Sequence, residues 1–169
     1  MSTTVDLKVA PGALATPSDL GIAARAEVAI GLNRLLADAF ALYIKTKNFH
    51  WHVSGPHFHA YHLLLDAQAG AVFAMLDPIA ERVRKLGGTT IRSVSHIAQL
   101  QRLTDSNAEY VRPEEMLDAL RADNESLVKF MREVHKTCDD DNDIATASLI
   151  ENWIDQTEER IWFLFESTR

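Results

Sequence analysis

Residues 48–86, NFHWHVSGPHFHAYHLLLDAQAGAVFAMLDPIAERVRKL, restrict what this chain can become more than any other stretch. Five of the seven histidines, at 50, 52, 57, 59 and 62, fall at its start, and Asp66, Asp77 and Glu81 follow. Gly55-Pro56 is a break with proline placed for a helical first turn, and Gly87-Gly88 is the matching stop. Between them the pattern predicts one helix of roughly 45 Å, at about 1.5 Å per residue.

That helix carries two stripes. Phe58, Tyr61, Leu65, Val72, Met75, Ile79, Val83 and Leu86 form an apolar seam directed at the protein's own core. His62, Asp66, Asp77 and Glu81 form a second stripe, about a third of a turn away. His62 and Asp66 are four apart, as are Asp77 and Glu81, and the step of eleven from 66 to 77 is close to three whole turns. The two pairs are centred roughly 22 Å apart along the axis, too far to share one ion. An antiparallel second copy of the helix removes the difficulty, because His62 and Asp66 then face the Asp77 and Glu81 of the other copy. A two-fold homodimer repeats that arrangement by symmetry. Gly70, Ala71 and Ala74 lie near the crossing point and would let the helices approach closely. Imidazole with carboxylates suits a divalent first-row metal, and weakly held Fe(II) keeps positions open for an oxidant. His50, ending the preceding helix, can supply a third side chain. For any single residue of this set, surface placement is the simpler reading; the spacing of the whole set favours metal.

Other features bound the answer. A chain of 169 residues is one domain, long enough to bury about 70% of its unfolded surface. The formal charge of −7 argues against a general nucleic-acid binder and favours attraction of cations. Cys138 is the sole cysteine, so no intrachain disulfide forms and a reducing, cytoplasmic compartment is expected. It reads as a packed helix residue. The first twenty residues lack a long apolar run, so neither a signal peptide nor a membrane span is expected.

In chain order, residues 1–15 read as a flexible arm and 16–169 as the folded domain. Thr16 with Asp19 is a variant capping box opening a first helix that carries Val28, Leu32, Leu35, Leu36, Ala39 and Tyr43 and runs to Trp51 or His52. Lys45 and Lys47 read as solvated cations near its end. His52, His57 and His59 read as surface residues. Pro78 interrupts the second helix and is expected to kink it. Residues 89–112 form a long crossover, of the kind that joins parallel-running helices, with a short helix suggested by Val94, Ile97 and Leu100; His96 reads as a hydrogen-bonded structural residue. Pro113-Glu114-Glu115 opens the third bundle helix, whose seam is Leu117, Leu120, Leu127, Met131, Val134 and Cys138. His135, near its end, is expected to meet solvent or a terminal carbonyl. The acid run 139–143 reads as capping ahead of Ile144. The last helix uses Ile150, Trp153, Ile154, Ile161 and Leu164, with Glu158, Glu159 and Arg160 on an outward face. The fold class is therefore all-α: a four-helix bundle with a short extra helix in the crossover between helices two and three. No Glu-x-x-His pair occurs, which disfavours the within-subunit di-iron site that uses such pairs. No P-loop, nucleotide glycine fingerprint, paired-cysteine zinc motif or nucleophile elbow occurs.

The chain also resembles the Dps family of mini-ferritins. The resemblance rests on K-N-F-H-W-H-V (47–53), G-P-H-F (55–58), Y-H-L-L-L-D (61–66), D-P-I-A-E-R (77–82), L-G-G (86–88) and W-I-D-Q-T-E-E-R-I-W-F-L (153–164). It implies a ferritin-like subunit in a hollow homododecamer, the short crossover helix at the two-fold interface. It implies a ferroxidase whose iron ligands are His50, His62 and Asp66 of one subunit with Asp77 and Glu81 of its mate, Trp51 standing beside the site. Fe(II) would be oxidised by hydrogen peroxide in preference to dioxygen and stored as ferric mineral, protecting DNA chemically. Relatives line three-fold pores with acids in a D-x-A-T-A-D context; D-I-A-T-A-S (143–148) keeps only Asp143, with Ser148 at the second acid and Asn152 a turn later. Relatives that bind DNA do so through lysine-rich tails. The arm has one lysine, Lys8, beside Asp6, so DNA binding by that route is disfavoured. A nucleoid-associated, DNA-compacting protein with a secondary metal site is the alternative reading.

Overall fold

The structure, a computed structural model, describes residues 12–169; most of the expected arm lies outside them. Five α-helices follow a short 3-10 turn at Gly12–Leu14, and the described residues contain no strand. They are α1 (Ile22–His52), α2 (Phe58–Lys85), α3 (Val94–Leu100), α4 (Pro113–Asp140) and α5 (Ile144–Glu166). All four long helices expected from the apolar periodicity form, as does the short crossover helix. The all-α bundle is therefore as read from the sequence.

Pairings between elements set the directions. His50 meets His62 across the short α1–α2 connection, whereas Asn33 reaches Thr89 beyond the far end of α2, so α1 and α2 are antiparallel. Lys45 meets Asp123, while Gly31 lies against Val134, where an added Cβ would come within 2.9 Å of a methyl. So α1 and α4 are antiparallel too, and Gly31 permits their close approach. It follows that α2 and α4 run parallel, which is why the crossover must return along the whole bundle. Arg82 meets Asp143 and Tyr61 reaches Ser167, leaving α5 antiparallel to α2.

The core is continuous through the four long helices. Leu32, Leu35, Leu36 and Leu42 of α1, Leu65, Val72, Met75 and Ile79 of α2, Leu117, Leu120, Leu127 and Met131 of α4, and Ile150, Trp153 and Leu164 of α5 are all buried. Cys138 is buried among them, and burial pushes its thiol up to about 12. The thiolate is the reactive form. Native protein at pH 8 is therefore expected to leave a thiol-specific chromogenic disulfide unreacted, while protein unfolded in guanidinium titrates one thiol per chain.

Several local expectations are corrected. The first helix starts at Ile22, not after Thr16, with Gly21 at the N-cap position. Thr16 is used elsewhere: its hydroxyl donates to the Arg84 carbonyl at 2.9 Å, and Arg84 donates to the Leu14 carbonyl, tying this segment over the end of α2. Phe58 is 45% exposed and not part of the seam. One local expectation holds: α2 is a single helix through Pro78, and it ends before Gly87 at φ +78°. His135 meets neither solvent alone nor a carbonyl but two acids, Asp139 at 3.2 Å and Glu151 at 3.1 Å. Among the described residues the buried His96 Nδ1 has no hydrogen-bond partner. Arg160 is not on an outward face. It is 4% exposed, donates to Asn124 at 2.9 Å and Thr157 at 2.7 Å, and is lowered to about 10 by burial.

The crossover is fastened by a buried carboxylate. Asp38 of α1 has no exposed surface and accepts from the Arg102 and Leu103 backbone N–H groups and from the Arg102 guanidinium. That guanidinium also lies 3.7 Å from the centre of the Phe130 ring. The chain just after α3 is thus held against α1.

Candidate metal centre

His50 and His62 face each other where α1 ends and α2 begins. Their rings stack with centroids 3.8 Å apart. The His50 Nδ1 lies 2.9 Å from the His62 carbonyl, and the His62 Nδ1 lies 3.0 Å from the His50 carbonyl. A carbonyl only accepts, so each Nδ1 carries the proton and donates. In the neutral rings both Nε2 atoms therefore hold lone pairs, the tautomer a metal ligand needs. The His50 carbonyl belongs to the last turn of α1, where carbonyls lack helical partners; the imidazole of His62 supplies one.

Asp66 stands one turn beyond His62, its Oδ1 3.7 Å from the His50 Nε2. His50 is 8% exposed, His62 is half-buried and Asp66 is exposed, so the group opens outward. Lys47, expected to be solvated, instead donates to Asp66 at 2.9 Å, and this hydrogen bond holds the Asp66 carboxyl below the usual carboxylate range. Lys45 is likewise not solvated: it pairs with Asp123 of α4, whose carboxyl burial pushes upward. Trp51 is 62% exposed, with the Lys47 ammonium 5.9 Å from its ring centre. His52, His57 and His59 are exposed.

Asp77 and Glu81 are exposed on α2, away from this group, and Glu81 is 3.6 Å from the Lys85 ammonium. Among the described residues, no three His, Cys, Asp or Glu side chains of a single chain gather closely enough to hold a metal ion. The five residues selected from the sequence thus divide into His50, His62 and Asp66 in one place and Asp77 with Glu81 in another. The surface between them is apolar and uncovered. Leu63 is 54% and Phe73 58% exposed, and Gly70, Ala71 and Ala74 are exposed with them. By length and composition α2 could cross a membrane, with a window of mean hydropathy 1.4. One face is packed in the core, however, and the other carries the acids.

Asp143 is placed as a helix cap. It is 2% exposed, accepts from the Thr146 backbone N–H at 3.0 Å, and pairs with Arg82 at 2.7 Å. Its exposed acidic neighbours are Asp139 and Asp140. Asn152 donates to the Ser148 carbonyl, a bond within one helix.

The ferritin-like domain family matches residues 30–167. The chain is 31% identical to a DNA protection during starvation protein of Agrobacterium fabrum, over 88% of this chain and 92% of that one. It is 35% identical to an uncharacterized low temperature-induced protein of Nostoc, over 79% of this chain and 75% of that one. Among solved structures it superimposes on Dps from Thermosynechococcus elongatus with a TM-score of 0.84 and 28% identity, covering 87% of this chain and 93% of that one. DpsC from Streptomyces coelicolor gives 0.90 at 25% identity, covering 100% and 96%.

Proposed function

Because the chain belongs to the Dps family of ferritin-like proteins, we propose that it is a ferroxidase and iron-storage protein whose catalytic sites lie between two subunits of a homododecamer. Fe(II) is the substrate. His50, His62 and Asp66 of one subunit hold it, and Asp77 and Glu81 of the two-fold mate complete the set or bridge to a second ion. The observation that carries this reading is the reciprocal imidazole pair: each Nδ1 is engaged by the other residue's carbonyl, which leaves the Nε2 atoms as the donors available to a metal, that of His50 3.7 Å from Asp66 Oδ1 on an open face. Nitrogen and carboxylate donors of this kind suit Fe(II). The uncovered stripe from Leu63 to Ala74 supports a second copy as the cover, since exposed contiguous apolar surface marks an interaction face.

The oxidant is hydrogen peroxide in preference to dioxygen. Two Fe(II) ions each give one electron, the O–O bond breaks, and two protons complete two water molecules. No one-electron step releases hydroxyl radical, so DNA is protected by chemistry. Protection of DNA also appears in the names of relatives. The protein then acts in the cytoplasm without direct DNA binding, consistent with its charge of −7.

The test is anaerobic Fe(II) loading followed by stoichiometric peroxide, with ferric absorbance and radical trapping recorded together. Fast oxidation without trapped radical is expected. Slow oxidation equal to that of free Fe(II) would sink the proposal. The subunit pairing has its own check. A Cβ at Gly70 meets nothing within 4 Å in the single chain, so Gly70→Trp is expected to leave the subunit folded. It should shrink the assembly measured by light scattering, since a bulky ring at the crossing forces the helices apart.

A further inference from the structure

Two of the carboxylates on the exposed face of α2 already hold a cation from their own chain. Lys47 donates to Asp66 at 2.9 Å, and Lys85 lies 3.6 Å from Glu81. The two lysines come from different helices and sit at opposite ends of the stripe, one beside each half of the divided ligand set. Asp77 forms no ion pair among the described residues. The inference rests on the shared-site reading given above. When an antiparallel copy covers the face, Asp66 of one subunit meets Asp77 and Glu81 of the other, with Lys47 and Lys85 carried in alongside.

Three carboxylates brought together and withdrawn from water repel one another, and like charges facing across an interface weaken it strongly. With both ammoniums present each site carries a net charge of −1; without them it carries −3. A divalent ion would neutralise the same charge, but a site that fills and empties cannot rely on it. We infer that Lys47 and Lys85 are resident counter-ions of the shared site, which close the two-fold interface while it is free of metal and yield their carboxylates when Fe(II) enters. Ordinary solvated lysines would have no such role. The Lys47 ammonium and the His50 Nε2 both approach the same oxygen, Asp66 Oδ1, at 2.9 and 3.7 Å, so Lys47 occupies a carboxylate oxygen that Fe(II) would take.

The experiment is sedimentation velocity on the full chain, chelator-treated and then supplied with Zn(II), a divalent ion without redox chemistry. Wild type is expected to give the same large assembly in both conditions. The double variant Lys47→Met with Lys85→Met keeps side-chain length and removes the charge. It is expected to dissociate at concentrations about a hundredfold higher than wild type when metal-free, and to reassemble on addition of Zn(II). The corresponding double arginine variant keeps the charge and is expected to assemble without metal. A methionine variant that assembles as tightly as wild type under chelator would overturn the inference, as would one that stays dissociated in Zn(II) with its helical circular dichroism intact. A wild type that is monomeric in both conditions would overturn the shared-site reading itself.

Discussion

Asp77→Ala is expected to slow peroxide-driven Fe(II) oxidation by on the order of a hundredfold or more, the scale on which even indirect partners of a metal site act. The same substitution should leave subunit stability within about 0.5 kcal/mol of wild type, as exposed substitutions without special features do. Both halves follow from where the residue stands. Asp77 is exposed on α2, and no hydrogen bond or ion pair to its side chain is found among the described residues. The single chain therefore loses nothing when the carboxylate goes, and alanine favours the helix slightly. Within the proposed site, however, Asp77 is the ligand brought by the second subunit. A stopped-flow trace of ferric absorbance, set beside a thermal melt, separates the two effects. Loss of oxidation with an unchanged melt supports the site; unchanged oxidation contradicts it.

Asp38→Ala is expected to have the largest effect on stability, about 3–5 kcal/mol, out of the 5–15 kcal/mol or so typical of a whole domain. Asp38 is fully buried, and four donors converge on it: two backbone N–H groups and two guanidinium nitrogens of the chain following α3. Alanine removes the acceptor from all four. The Arg102 side chain is 26% exposed and can turn partly to water, but the backbone groups cannot, and an unpaired buried donor costs about 1–3 kcal/mol. Asp38→Asn keeps an accepting oxygen while losing the charge, so a smaller loss is expected. Guanidinium unfolding of the three proteins side by side ranks them; a variant order other than wild type, asparagine, alanine would contradict this account of how the crossover is fastened.

The helices were legible because each shows its apolar face at regular intervals, and the glycine and proline stops mark where α2 begins and ends. The separation of the candidate ligands into two groups was legible for a related reason. Rise per residue converts spacing into distance, so His62 with Asp66 and Asp77 with Glu81 had to lie apart on any single helix. The pairings that escaped notice are long-range in sequence. Asp38 and Arg102 are 64 residues apart, Lys45 and Asp123 are 78 apart, and Lys47 reaches Asp66 across the α1–α2 connection. Helical phase says which way a residue points but not what it meets. Arg160 is a different failure. Residues 150, 153, 157, 160 and 164 repeat at helical spacing and all five are buried, so phase alone would have placed Arg160 inside. Its residue type was weighed above its position. Asn124 lies in the same relation to Leu117, Leu120, Leu127 and Met131, and the two buried polar side chains bond to each other. Phe58 shows the reverse error: a large aromatic on the expected seam, at the first turn of α2, lies with its ring centre 5.1 Å from His62 and stays half outside.

The central claim is that each oxidation site is assembled from two subunits, and mixing two inactive variants tests it most directly. Asp66→Ala and Asp77→Ala subunits, each inactive alone, are unfolded together and reassembled. In a mixed two-fold pair, one site collects both substitutions and the other collects neither. Random pairing makes half the pairs mixed, so about a quarter of the wild-type oxidation rate should return. If each site were built within one subunit, every site would carry a substitution and the mixture would stay as inactive as its components.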